Sequence, residues 1–132
     1  MTLSDREYQA LAAFRHELRR FLRFSETAAR ARGLAPAQHQ LLLAVRGFAG
    51  PGRPTIGDMA EALQQRHHSV SELVERAVAA GLLERSADPD DRRRHHLQLS
   101  PGGAEVLEEL SEVHRAELRD LRRQLVRSLE AL

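Results

Sequence analysis

The stretch Ala79 to Gly103, "AAGLLERSADPDDRRRHHLQLSPGG", holds two apolar-bearing arms around a cluster of turn residues and three consecutive arginines. In the second arm Leu97 and Leu99 alternate with Gln98, the period of a half-buried strand. Asp88-Pro89-Asp90-Asp91 supplies the residues a tight reversal needs. "LLERS" and "HHLQLS" are therefore read as the arms of a β-hairpin, with Arg92, Arg93 and Arg94 at and just beyond its tip. Like charges repel, so stability is a poor reason to cluster them. Taken alone, the run is read equally as a solvated turn or as a surface that meets a polyanion.

Upstream of the hairpin, Ile56, Met59, Ala60 and Leu63 recur at helical spacing, with Thr55 and Asp58 in a capping arrangement. "QQRHHS" interrupts this helix. The spacing resumes with Val70, Leu73, Val74 and Ala77, and Gly81 stops it. Two short helices about a tight turn make a helix-turn-helix, although this turn lacks the usual glycine. "GFAGPGRPT", Gly47 to Thr55, is a loop by its glycines and prolines. Before it, Pro36 opens a helix that runs to about Val45.

Both ends of the chain are long amphipathic helices. Tyr8, Leu11, Phe14, Leu18, Phe21, Leu22, Ser25 and Ala28 mark one face of the first, Asp5 to Ala31, which Ser4 and Glu7 cap and Gly33 ends. Pro101 and two glycines separate the hairpin from the last helix, about Ala104 to Leu129. Its stripe is Val106, Leu107, Leu110, Val113, Leu118, Leu121, Leu125 and Leu129. Helices this long are hard to bury within one small subunit, so their surplus apolar faces point to a partner.

The length, 132 residues, suggests one domain. With 20 basic and 19 acidic residues the net charge is +1, so placement of charge has to decide about nucleic acid, not its total. No cysteine is present, which excludes disulfides and thiolate metal sites. No apolar run approaches transmembrane length, and "MTLSDREYQA" has neither the basic flank nor the apolar core of a signal peptide. The expectation is a cytoplasmic protein without membrane contact.

This order of elements, with the hairpin run above all, resembles the MarR family of winged helix-turn-helix transcription regulators over essentially the whole chain. Gly81, Arg85, Asp91, Arg93, Leu97, Leu99, Ser100 and Gly103 fall on the family's motif positions. The resemblance implies a mainly α fold with a small β-hairpin wing, and a homodimer formed by the N- and C-terminal helices. It divides the single domain into a winged helix-turn-helix at about 34–100 and dimerisation helices at about 4–32 and 103–130. It further implies a pseudopalindromic double-stranded operator, with one helix in the major groove and the wing in an adjacent minor groove. Many members repress, and many release DNA when a small apolar anion binds between the dimer helices and the reading head.

Arg93 is the leading DNA contact, because a weakly hydrated guanidinium suits a narrow minor groove. Asp91 is expected to hold that side chain extended by a charge-assisted bond. Arg92 and Arg94 are assigned to phosphates, where they add affinity without reading sequence. The reading helix offers Arg66, His67, His68, Ser69, Ser71, Glu72 and Arg76. Glu72 departs from the family pattern, since a carboxylate faces phosphates unfavourably, although it can accept from cytosine N4. Thr55 and Gln38 are read as capping and packing residues. Arg15, His16, His39 and Arg46 sit on the first two helices, where the resemblance would place an effector pocket, but each is read first as a solvated or dimer-rim charge.

Adjacent histidines diverge on a helix and point to opposite faces of a strand, so neither His67-His68 nor His95-His96 chelates a metal. There is no phosphate loop, nucleophile elbow or acid-base pair; no catalysis, metal or cofactor is assigned. The competing class is a dimeric winged-helix interaction module that has lost DNA binding, favoured by Glu72 and the near-neutral charge.

Overall fold

Local chemistry sets most of the boundaries in the computed structural model, which describes residues 2–132. Helix α1 (Asp5–Ala31) opens with a complete capping box: Ser4 Oγ accepts the Glu7 N–H at 3.1 Å, and Glu7 Oε1 accepts the Ser4 N–H at 3.3 Å. Helix α2 (Pro36–Arg46) carries proline in its first turn, and Gln38 Oε1 accepts the Ala35 N–H. Helix α3 (Ile56–Leu63) is capped by Thr55, whose hydroxyl accepts the Asp58 N–H at 3.2 Å. Helix α4 (His67–Ala79) follows after three residues.

The turn between α3 and α4 has no glycine, so Gln64 takes the left-handed conformation itself, at φ 52°. An L residue there costs about 1–2 kcal/mol. At the other end of α4, Gly81 (φ +76°) supplies the left-handed residue that turns the chain into the hairpin.

Strands β1 (Leu83–Ala87) and β2 (His95–Leu99) are antiparallel, with Arg85 opposite Leu97 and Ala87 opposite His95. The loop before α3 joins their edge: the Leu97 N–H donates to the Pro54 carbonyl at 2.8 Å, and Thr55 bridges His96. The hairpin is thus fastened to the helix-turn-helix on its β2 side.

Helix α5 (Pro101–Glu130) begins three residues earlier than the sequence suggests. Pro101 and the glycines are its first turn instead of a separator, because proline needs no N–H partner there. Ser100 is the N-cap; its Oγ accepts the Gly103 N–H at 2.9 Å and donates to the Gly81 carbonyl. Gly103 lies so close to the hairpin that a Cβ there would stand 2.0 Å from the Leu82 carbonyl oxygen. A serine and a glycine at these positions lock α5 onto the base of β1.

The core sits where α2, α3, α4 and the strands meet, around the fully buried Leu41, Leu42, Met59, Val70, Val74 and Leu97. Helices α1 and α5 pack along each other and leave much of their apolar surface uncovered. Tyr8 is 57% exposed, Leu22 54% and Leu129 48%. The α5 stripe also departs from the sequence reading, with Leu118 (46%) and Leu129 exposed as well as Val113. His114 turns inward and is buried, whereas Val113 is 44% exposed. Among the described residues, no helix is long and apolar enough to cross a membrane.

Candidate nucleic-acid interface

Helix α4 sends Val70, Leu73, Val74 and Ala77 into the core and leaves the alternate face to solvent. His67, His68, Ser69, Glu72 and Arg76 are exposed, Ser71 is half-buried, and Arg66 is the exposed N-cap. His67 and Ser71 line a groove of about 540 Å³ that the wing closes on its far side. Arg93 and Arg94 line that same groove, with Arg85 and His95 from the strands. His68, Glu72 and Arg76 point elsewhere, and Arg92 is exposed outside it. Among themselves, His68 Nε2 and Glu72 Oε1 approach to 3.3 Å, one helical turn apart.

Arg85 and His95 were not singled out as contacts from sequence, though strand alternation was the available signal. Arg85 faces Leu97 across the hairpin, and His95 shares the tip's base with Arg94. Glu75 also lines the groove, an unfavourable neighbour for a phosphate. Thr55 lines it too, but its hydroxyl is occupied by Asp58, on Oδ2 at 3.0 Å as donor and on the N–H as acceptor.

The wing tip is built by two aspartates. Asp88 Oδ1 accepts the N–H groups of Asp90 and Asp91 at 2.8 and 3.2 Å, and the Asp88 N–H donates to the Arg94 carbonyl. Asp91 Oδ1 accepts the Arg93 N–H at 3.0 Å, while the Arg93 Nε stands 3.9 Å away. Asp91 therefore grips the main chain of Arg93 by a hydrogen bond and meets its guanidinium only as a longer ion pair. A carboxylate two residues back reaches its neighbour's N–H more readily than a side chain that leaves the turn. The Arg93 side chain is 97% exposed and free to extend.

A second concavity, about 410 Å³, lies between α1, α2 and α5. Phe21, Leu43 and Leu118 give it an apolar wall, and Arg115, Arg119 and Arg122 stand on its α5 side. His39 lines it and is only 4% exposed, and its Nδ1 has no hydrogen-bond partner. Burial, and secondly the neighbouring His114, hold the His39 pKa below that of an ordinary histidine. Of the four residues expected around such a pocket, only His39 lines it. Arg15 and His16 are exposed on α1, and Arg46 lines separate grooves beside Leu99 and Ala104. These three side chains diverge from His39 because the cavity opens on the α5 side. His114 was missed; its position four residues after Leu110 and four before Leu118 was the signal.

Among the described residues no group of three or more His, Asp or Glu converges as a metal-binding cluster.

Residues 32–94, from the end of α1 through the wing tip, match the MarR family. The fold is similar to that of AbsC, a MarR family transcriptional regulator from Streptomyces coelicolor. The TM-score is 0.74 at 24% identity, over 92% of this chain and 81% of that one. It is similar to S. aureus MepR in a DNA complex, with a TM-score of 0.74 and 23% identity over 85% of this chain and 81% of that one. A mutant MarR from E. coli complexed with operator DNA gives 0.71 and 22%, over 88% and 84%. At these identities the likeness is one of fold. No curated protein matches the sequence.

Proposed function

We propose, from the match of residues 32–94 to the MarR family, that the protein is a homodimeric, sequence-specific double-stranded DNA-binding repressor. In this reading residues of about 34–100 form the reading head, and the helices at about 4–32 and 103–130 pair two subunits. The exposed apolar faces of α1 and α5 support that pairing. Two copies of α4 then enter successive major grooves of a pseudopalindrome at a spacing of ~34–36 Å. The site of action is the cytoplasm.

One observation carries the reading: His67 and Ser71 of α4 and Arg93 and Arg94 of the wing line a single groove. In it, α4 reads base edges while Arg93 enters the neighbouring minor groove and Arg92 and Arg94 meet phosphates. Arg66, His68, Ser69 and Arg76 are exposed outside this groove and are assigned to the flanking duplex. Fluorescence anisotropy with a mixed-sequence duplex at low salt tests it. Binding that weakens steeply as salt rises is expected, because phosphate contacts release counterions. No binding at any salt would favour the interaction-module reading, which the acidic Glu72 and Glu75 on α4 support.

Release by a small apolar anion is assigned to the cavity between α1, α2 and α5. Its wall is apolar, its arginines attract negative charge, and His39 Nδ1 has an unused hydrogen-bonding site. Benzoate, added to the DNA complex, is expected to lower DNA affinity in the wild type and less in a Phe21→Ala, Leu118→Ala variant.

A further inference from the structure

At His96 three separate segments meet. Its Nε2 lies 2.7 Å from Asp88 Oδ2, at the end of β1, and its Nδ1 lies 3.1 Å from the Arg53 carbonyl oxygen, in the loop before α3. Both partners are acceptors, and a carbonyl and an ionised carboxylate have no proton to give. A neutral imidazole has one N–H and satisfies one of them. The imidazolium has two and satisfies both. Asp88 is at the same time the residue whose other oxygen holds the N–H groups of Asp90 and Asp91 and so shapes the tip.

We infer that His96, in its protonated form, is a positioning residue for DNA binding, clamping the wing tip to the loop before α3 so that Arg93 and Arg94 face the α4 groove. The inference rests on the DNA-binding reading and assigns that site a proton linkage. The hydrogen bond to the Asp88 carboxylate, followed by that to the Arg53 carbonyl, raises the His96 pKa above the ordinary value. Partial burial and then the cationic Arg94 oppose the rise. Asp88 shifts in the complementary direction, its pKa lowered first by the His96 bond and then by the Asp90 N–H. Asp88 and Arg94 are the charged side chains that face the ring, and Arg53 presents its carbonyl; His95, the adjacent titratable group, lines the opposite groove.

The sign follows from the raised value. The clamp is complete below the pKa of a free histidine and is lost as pH rises through the higher pKa of the folded protein. Wild-type affinity for a mixed-sequence duplex at constant low salt therefore falls between about pH 6 and pH 8. Other histidines share this face, so the decisive quantity is a difference between variants.

The test has two arms. In the free protein, NMR titration of the His96 ring is expected to show a pKa above that of a free histidine, lowered in Asp88→Asn. Protection of the Asp90 and Asp91 amides, relative to their intrinsic base-catalysed exchange, is expected to fall as the ring deprotonates. A His96 that titrates as a free histidine, with that protection unchanged through its titration, overturns the clamp. In the DNA arm, His96→Gln is expected to reduce the fall in affinity over this pH range by about threefold or more relative to wild type. Asp88→Asn is expected to reduce it in the same direction. Variants that keep the wild-type profile overturn the role in binding. Wild type that binds no duplex at any pH overturns the DNA-binding reading and with it this role, leaving the first arm to decide the clamp alone.

Discussion

The rings of His39 and His114 stand with centroids 4.8 Å apart and tilted by 44°, yet they are satisfied very unequally. In its neutral form His114 donates from Nδ1 to the Leu110 carbonyl at 2.7 Å and accepts the Ser25 hydroxyl at Nε2, 2.8 Å away. Phe21 and Phe24 meet its ring edge-on. His39 has an orphan Nδ1 in the same buried site. One ring is fixed as part of the α1–α5 packing; the other is held by its surroundings in the neutral state.

A pH effect on stability follows. The His39 pKa is lowered on folding, chiefly by burial, so the unfolded chain takes up this proton more readily than the folded one. The contribution of neutral His39 is fully present above the pKa of a free histidine and is lost as pH falls through the lowered, folded value. His39→Leu removes that titration and the unpaired nitrogen together. Urea unfolding is expected to show a smaller loss of midpoint in His39→Leu than in wild type between about pH 7.5 and pH 5.5. Equal losses in the two proteins would show that His39 does not titrate against folding.

Two adjacent glycines at the start of α5 make opposite predictions. A Cβ on Gly103 meets the Leu82 backbone at 2.0 Å, and neither chain can yield without moving the hairpin. Gly103→Ala is expected to destabilise by about 1–3 kcal/mol, the usual penalty for overpacking. A Cβ on Gly102 has its nearest neighbour, the Gly81 carbonyl oxygen, at 3.6 Å. Gly102→Ala is expected to be neutral or stabilising by up to about 1 kcal/mol, since alanine loses less backbone entropy in a helix. Denaturant curves for both would check the pair.

What the sequence made legible is the chemistry that closes over three or four residues. The Ser4–Glu7 and Thr55–Asp58 caps, the glycine stops and the Leu97–Leu99 alternation each depend on neighbours alone. What it hid depends on where distant segments cross. Val113 and His114 both fit the helical stripe, and only the line along which α1 packs decides that His114 faces Ser25. For the same reason the sequence could not separate His39, which lines the inner cavity, from Arg15, His16 and Arg46, which do not. His96 was visible as half of a histidine pair, but its bond to the Arg53 carbonyl appears only once the loop has met β2. The reading helix and the wing were each predicted; their common groove is a product of the fold.

The missing glycine in the helix-turn-helix yields a simple substitution test. Gln64 is the only non-glycine residue with positive φ among the described residues, and its side chain is exposed. Gln64→Gly relieves the left-handed strain and gives back part of that gain as backbone entropy. The net is expected to be a stabilisation of about 0.5–1 kcal/mol, read as a higher urea midpoint with an unchanged m-value. Gln64→Val is expected to destabilise, because a β-branched residue is a genuine outlier at positive φ.

The wing provides the sharpest test of how the DNA contact is held. Arg93→Ala is expected to weaken duplex binding by at least ~1 kcal/mol, about fivefold, and Asp91→Ala to act in the same direction, both at one salt concentration. The geometry separates two ways in which Asp91 could act. Its Oδ1 accepts the Arg93 N–H at 3.0 Å, whereas the guanidinium Nε is 3.9 Å away. An amide oxygen can accept that N–H as well as a carboxylate oxygen, but it cannot attract a cation through charge. Asp91→Asn is therefore expected to retain most of the affinity that Asp91→Ala loses. If the asparagine variant binds as weakly as the alanine variant, the negative charge is what positions Arg93, and the main-chain bond is incidental. If neither alanine variant weakens binding, the wing tip takes no part in holding DNA.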